Sequence, residues 1–160
     1  MSSSTLLVTG GCGFIGSNFI NYIFDRTNYL IVNLDAMYYC ASEDNVRDDI
    51  RNSTRYKLVK GNLCSFDLVR HVIDAFDVEY IIHFAAQSHV QNSFEDSLQY
   101  TNDNVVGTHT LLECARRYGK IKRFVHISTD EVYGESMLAQ GTEKKNEESI
   151  LCPTNPYAAS

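Results

Sequence analysis

The chain has 160 residues, 44% of them hydrophobic and 21% charged, with a formal net charge of −6. That length suits one domain, the composition can bury a core, and an acidic balance with no long basic run argues against nucleic acid as the main partner. No apolar run approaches the ~20 residues that span a bilayer, and "MSSSTLLVTGG" lacks the charged start and long apolar stretch of a signal peptide, so a cytoplasmic protein is expected.

Thr5–Thr9, "TLLVT", is a short apolar run ending in glycines and predicts a buried strand. A helix is predicted from about Gly13 to Asp25, with Phe14, Ile15, Phe19, Ile20 and Ile23 at helical spacing. Tyr29–Leu34 predicts a second buried strand closed by Asp35. Tyr56–Val59 predicts a third, followed by a helix over Phe66–Ala75. Glu79–Phe84 predicts a fourth strand. A long helix is predicted over Ser97–Tyr118, with Val105, Val106, Leu111, Leu112 and Ala115 facing inward. Arg123–Ser128 predicts a fifth buried strand. Gly134–Pro156, with a charged run from Glu143 to Glu148, reads as an exposed loop. Strands alternating with helices require crossover connections, which gives an α/β class with a mostly parallel sheet.

"TGGCGFIGS" follows the first strand and opens the first helix. Gly10, Gly13 and Gly16 recur at every third position. In a dinucleotide-binding loop the first glycine permits the turn, the second lets backbone approach a pyrophosphate, and the third lets helix lie close on sheet. The helix start then offers free N–H groups to the anion. Asp35 falls at the distance where a carboxylate accepts hydrogen bonds from the adenosine ribose. A carboxylate there repels a 2′-phosphate, and no Arg or Lys lies in the loop or just after Asp35, so NAD is expected over NADP. The fold expected is a Rossmann-type doubly wound parallel sheet.

The five cysteines form no C-x-x-C pair and the five histidines no cluster, so reduced thiols and no metal are expected. His83 and His126 lie inside apolar strands and read as core residues or as residues that support the site from behind. Cys12 reads as a small packing residue, His89 as either a loop residue or a neighbour of the cofactor, and Tyr38 and Tyr39 as packing rather than ligand contacts.

"GFIG" in this setting resembles the extended short-chain dehydrogenase/reductase family, and further strings follow in family order. They are "GNLCS" at Gly61–Ser65, "HFAAQSHVQNSFED" at His83–Asp96, "TNDNVVGTHTLLECAR" at Thr101–Arg116, "HISTDEVYGES" and "PTNPYAAS". Within the family they resemble the nucleotide-sugar 4,6-dehydratases. "YYCASEDNV", "HFAAQSHVQNSF" and "PTNPYA" tilt toward the UDP-glucose type of rhamnose synthesis, with the dTDP-glucose type next. Asn62 and Gln91 each stand where the family usually has Asp.

The resemblance implies a lyase that makes a 4-keto-6-deoxy sugar from a nucleotide-sugar by internal redox through NAD and loss of water. It implies cofactor contacts at Gly10, Gly13, Phe14, Ile15, Gly16, Asp35, Asn62, Leu63, Ala85, Ala86, Ser88, Asn104 and Ser128. It makes Thr129 the partner of the 4-oxygen, Asp130 the acid at the 6-hydroxyl, Glu131 the base at carbon 5 and Tyr157 the base at the 4-hydroxyl. Elimination needs one carboxyl protonated and the other ionised, and neighbouring carboxyls in a poorly solvated cleft resist ionising together. Alternation along an extended strand aims such neighbours apart, so a bend is expected at the strand end, with Gly134 helping to form it.

The resemblance also implies a homodimer for the full-length enzyme. It places a lysine just after Ser160, followed by a substrate-binding domain. Residues 1–160 are therefore expected to be an incomplete NAD-binding domain, inactive alone, with Tyr157 too near the end for a stable helical turn. The alternatives are a nucleotide-sugar 4-epimerase or decarboxylase on the same scaffold, or a non-catalytic NAD-binding fragment. Asp130 discriminates, since epimerisation has no elimination step to use it.

Overall fold

The computed structural model describes residues 4–134 and 144–160. Five strands form one sheet: β1 (Thr5–Thr9), β2 (Leu30–Asp35), β3 (Tyr56–Lys60), β4 (Val78–His83) and β5 (Arg123–His126). Their order is β3-β2-β1-β4-β5, and every neighbouring pair is parallel. The chain winds outward from β1 to β3, then returns past β1 to β4. The crevice where that direction reverses, outside the ends of β1 and β4, is where open sheets of this kind bind ligands.

The helices are α1 (Phe14–Phe24), α2 (Asp48–Arg51), α3 (Phe66–Ala75), α4 (Val90–Glu95), α5 (Ser97–Tyr100), α6 (Gly107–Tyr118) and α7 (Pro156–Ala159). Side chains alternate across the strands and so build two cores. On one face Leu7, Val32, Leu34 and Ile81 pack on Val69, Val72 and Ile73 of α3 and on Leu111 and Cys114 of α6. On the other, Leu6, Val8 and Ile31 pack on Ile20 and Phe24 of α1. No described helix is long and apolar enough to cross a membrane.

Three expectations are corrected. In α1 the inward residues are Gly16, Ser17, Ile20 and Phe24, whereas Phe14 and Ile15 are 81% and 61% exposed. The predicted long helix is interrupted by a π-helical segment, Thr101–Val106, between α5 and α6. The wider turn shifts the helical phase. Asn104, Gly107, Leu111 and Cys114 face in, while Val105, Val106 and Leu112 face out. Strand β5 ends at His126, and it is exposed rather than buried because it borders the described sheet on one side. The charged loop residues Lys144–Glu148 are exposed as expected, and Glu143 lies outside the described residues.

His83 is core, but His126 on the edge strand is exposed, its ring tilted 5.1 Å from that of His83. Nδ1 of His83 lies 2.6 Å from Thr9 Oγ1 and Nε2 lies 2.8 Å from Thr108 Oγ1, so the ring ties β1 to α6. Burial, with a smaller contribution from His126, lowers its pKa from 6.5 to about 4. Between those values the unfolded chain binds the proton and the folded chain does not. Stability is therefore full above pH 6.5 and falls as pH drops toward 4, by up to about 1.4 kcal/mol per pH step, roughly 3 kcal/mol in all. Urea titrations across that window should show this loss, and His83→Gln, whose amide can also donate and accept, should flatten it. Equal pH dependence in both proteins would count against His83 as the source.

Candidate functional site

A cavity of about 380 Å³ opens at the crevice between β1 and β4, a volume in the usual range for small-ligand sites. Gly10 turns the chain out of β1 at φ +70°, and its N–H donates to the Leu34 carbonyl at 2.9 Å. Helix α1 then starts at Gly13, which has no side chain to cap it. The first intrahelical bond runs from Ser17 N–H to the Gly13 carbonyl at 3.0 Å. The N–H groups of Phe14, Ile15 and Gly16 thus have no acceptor within the helix, and with the helix dipole they suit a phosphate. Gly10, Gly13, Phe14, Ile15 and Gly16 all line the cavity, which is why the two exposed apolar residues look outward.

A residue that sequence reasoning passed over fixes this loop. Asn33, in the middle of β2, is fully buried. Its Oδ1 accepts from Gly11 N–H at 3.0 Å, and its Nδ2 donates to Tyr56 Oη at 2.8 Å and to Cys12 Sγ at 3.3 Å. A lone amide in an otherwise apolar strand was the available signal. Cys12 is buried as expected, and burial, reinforced by Asp35, pushes its thiol up to about 11. It stays neutral and packs.

Asp35 is only 6% exposed, so it is not a solvated strand end. Its Oδ2 accepts from Cys12 N–H at 2.9 Å and its Oδ1 from Met37 N–H at 2.8 Å, and the carboxylate still lines the cavity. Asn62 and Leu63, after β3, form the adjoining wall. Asn62 Nδ2 donates to Tyr38 Oη at 2.8 Å and to Asp103 Oδ1 at 3.1 Å. Tyr38 lines the cavity too, against expectation, and its hydroxyl pKa is raised by burial and then by Asp103. Tyr39 is 71% exposed, so it does not pack either.

Ala85, Ala86 and Ser88, after β4, line the opposite wall. Asn104 is not among the lining residues. Its Oδ1 accepts from Gln87 N–H at 2.7 Å, and its Nδ2 donates to the Gln87 carbonyl at 3.0 Å and to Ser160 Oγ at 2.9 Å. It holds the wall from behind and ties it to the segment carrying Tyr157. His89 accepts from Asn92 N–H at 3.3 Å and caps α4.

Ser128 and Tyr157 close the far end of the cavity. Tyr157 sits in α7, which does form a turn: Asn155 Oδ1 accepts from Ala158 N–H at 2.8 Å, and Ala158 is buried. The bend expected after β5 is a 3-10 turn over Asp130–Tyr133. Thr129 Oγ1 caps it by accepting from Glu131 N–H at 3.3 Å, and Gly134 at φ +82° ends it. Glu131 is half-buried and its Oε2 accepts from Asn155 Nδ2 at 3.1 Å, whereas Asp130 is exposed. Asp130 therefore lacks the poorly solvated surroundings expected of it. Thr129, Asp130 and Glu131 are not lining residues but follow directly on Ser128, which is. Among the described residues no group of three His, Cys, Asp or Glu side chains is placed to hold a metal.

The cavity thus runs from the start of α1, past the Asp35 carboxylate, to Ser128 and Tyr157. Residues 7–160 match the family model described as GDP-mannose 4,6 dehydratase. The chain is 44% identical over 156 residues to a trifunctional UDP-glucose 4,6-dehydratase, 3,5-epimerase and reductase of Arabidopsis thaliana, covering 97% of this chain and 23% of that protein. It is 41% identical to dTDP-D-glucose 4,6-dehydratase of Homo sapiens, covering 97% of this chain and 43% of that one. Among solved structures, dTDP-glucose 4,6-dehydratase of Streptomyces venezuelae with NAD bound superposes with a TM-score of 0.88 at 38% identity, over 97% of this chain and 47% of that one. The chain spans less than half the length of each of these proteins.

Proposed function

The chain belongs to the GDP-mannose 4,6-dehydratase family, and from that membership we propose that it is the NAD-binding domain of a nucleotide-sugar 4,6-dehydratase. One observation carries the reading: a single cavity joins the glycine loop and Asp35 at one end to Ser128 and Tyr157 at the other, with Thr129, Asp130 and Glu131 directly following. An epimerase site needs the tyrosine but has no use for an acid at the sugar's 6-hydroxyl, so Asp130 favours the dehydratase over the epimerase and decarboxylase alternatives.

The residues fit the cofactor. The start of α1 receives the pyrophosphate, Asp35 the adenosine ribose, and the walls at Asn62–Leu63 and Ala85–Ser88 enclose the rest. NAD, when bound, supplies a reversible hydride acceptor, so oxidation at one sugar carbon is matched by reduction at another. Tyr157 as phenolate takes the proton of the 4-hydroxyl, and Thr129 Oγ1 hydrogen-bonds the 4-oxygen. The carbonyl created at carbon 4 acidifies the proton on carbon 5, which Glu131 removes. Asp130 gives its proton to the departing 6-hydroxyl, and water leaves. Glu131 then returns its proton to carbon 5. UDP-glucose is the favoured substrate, in rhamnose synthesis, with dTDP-glucose the other candidate, in a cytoplasmic enzyme that is a homodimer at full length. A longer protein that contains this sequence together with a substrate-binding domain, incubated with NAD and either sugar nucleotide, should form a 4-keto-6-deoxy sugar. A 4-epimer as sole product would sink the dehydratase reading and favour the epimerase. NAD binding without turnover of either sugar would favour a non-catalytic module.

Cofactor choice follows from Asp35. A 2′-phosphate would meet a buried carboxylate already held by two backbone N–H groups and unable to turn away. Calorimetry should show NAD binding well ahead of NADP. Asp35→Ala should narrow the gap by roughly 1.5–3 kcal/mol, the worth of a charge-assisted hydrogen bond. Equal affinity of the unaltered chain for both dinucleotides would overturn this.

A further inference from the structure

We infer that Asn155 is a positioning residue that holds Glu131 as the base of the acid pair and ties it to the turn bearing Tyr157. The inference rests on the dehydratase reading above. The string "NPY" at Asn155–Tyr157 dictates the local geometry. The residue before a proline is pushed to extended backbone, and Asn155 lies at φ −143°, ψ 162°. Pro156 then opens α7, and asparagine is among the best residues to cap a helix start. Asn155 Oδ1 accepts from Ala158 N–H at 2.8 Å, and its carbonyl accepts from Ala159 N–H at 3.1 Å. A backbone N–H can only donate, so the cap fixes which end of the amide is left to point away from the helix. That end is Nδ2, which donates to Glu131 Oε2 at 3.1 Å.

Glu131 therefore faces a group that can only donate to it. A donated hydrogen bond favours the ionised carboxylate, which is the form a base must have. The amide occupies Oε2, and a carboxylate has a second oxygen to receive the proton. Asp130 has no such partner. It is exposed, and the hydrogen bond it accepts from Thr129 Oγ1 is long, at 3.5 Å. The two neighbouring acids thus differ in their surroundings, as a division into base and acid requires. The backbone adds a second tie. Cys152 N–H donates to the Val132 carbonyl at 2.9 Å, so the segment leading into α7 is pinned to the 3-10 turn that carries Glu131. One amide then sets Glu131 relative to the turn that carries Tyr157.

Two substitutions keep the cap and remove the donor. Serine and aspartate both cap helix starts well, but serine is too short to reach Glu131 and aspartate has no N–H to give. The protein to use is a longer one that contains this sequence together with a substrate-binding domain, mixed rapidly with NAD and UDP-glucose or dTDP-glucose. Reduced cofactor reports oxidation at carbon 4, and the 4-keto-6-deoxy sugar reports dehydration. Asn155→Ser should leave the first step within about threefold and slow the second roughly tenfold or more, the worth of one hydrogen bond to a charged group. Asn155→Asp should slow dehydration further, because a like charge beside Glu131 disfavours its ionised form. Thermal melts check that each variant is folded. A residue that merely caps α7 would survive both changes, so folded variants that dehydrate at the original rate overturn the inference and leave the dehydratase reading standing. Equal slowing of both steps overturns it too, since Asn155 would then act on Tyr157 through α7 and not on Glu131. An unaltered protein that makes no 4-keto-6-deoxy sugar overturns both.

Discussion

Replacing Asp130 with asparagine, in a protein that carries this sequence and turns over its sugar nucleotide, should slow dehydration by ~10²–10⁴ while sparing the first oxidation. The amide keeps the shape of the side chain and cannot deliver a proton to the leaving 6-hydroxyl. Tyr157 and Thr129 are untouched, so the 4-hydroxyl is still oxidised. The expected signature is a 4-keto sugar that retains its 6-hydroxyl, accumulating with reduced cofactor. Glu131→Gln should stall at the same stage, but it also alters the carboxylate that accepts from Asn155 Nδ2 at 3.1 Å. Asp130, exposed and without such a tie to α7, is the cleaner variant. Unchanged release of the 4-keto-6-deoxy product from Asp130→Asn would refute its role as acid.

Gly16→Ala should cost more than about 4 kcal/mol of stability, in the range reserved for backbone or core disruption. A methyl group there would lie 2.3 Å from the Gly10 carbonyl oxygen and 2.8 Å from Gly11 Cα, both of them backbone atoms that cannot turn aside. The start of α1 would have to lift off the loop after β1, and Ile20 and Phe24 would lose their seat on the sheet. For a domain of this size the melting temperature should fall by roughly 10 °C or more. Gly13→Ala is the control. Its methyl would meet only the Gly10 carbonyl oxygen, at 3.4 Å, so stability should change by about 1 kcal/mol at most. The methyl would instead stand at the phosphate end of the cavity and weaken dinucleotide binding. A Gly16→Ala protein that melts like the original would show that the strand-to-helix contact is looser than described.

The sheet was legible because β1, β2 and β4 are short apolar runs with turn residues after them, and a doubly covered strand needs little else. The glycine loop and Asp35 were legible as cavity-lining residues because a tight strand-to-helix turn and a strand-end carboxylate recur at a set spacing in folds of this kind. The phase of the long helix was not. Val105–Val106 and Leu111–Leu112 offer apolar residues to more than one face, and an inserted π turn leaves no mark on hydrophobic spacing. Strand β5 looked buried because its composition resembles that of β4, but burial depends on what lies alongside. Tyr38 and Tyr39 are indistinguishable by type. The path after β2, with Met37 at φ +58°, turns one toward the cavity and leaves the other outside.

The amide of Asn104 has a consequence for how this domain opens. It holds Gln87 by two backbone hydrogen bonds and reaches Ser160 by a third. Local opening in proteins proceeds by cooperative units rather than residue by residue. Here one buried side chain makes the loop after β4 and the turn bearing Tyr157 members of the same unit, although 69 positions separate Gln87 from Pro156, where α7 begins. Whatever stiffens the loop also lowers the frequency with which that turn frays, so Tyr157 is most firmly seated when the neighbouring wall is filled.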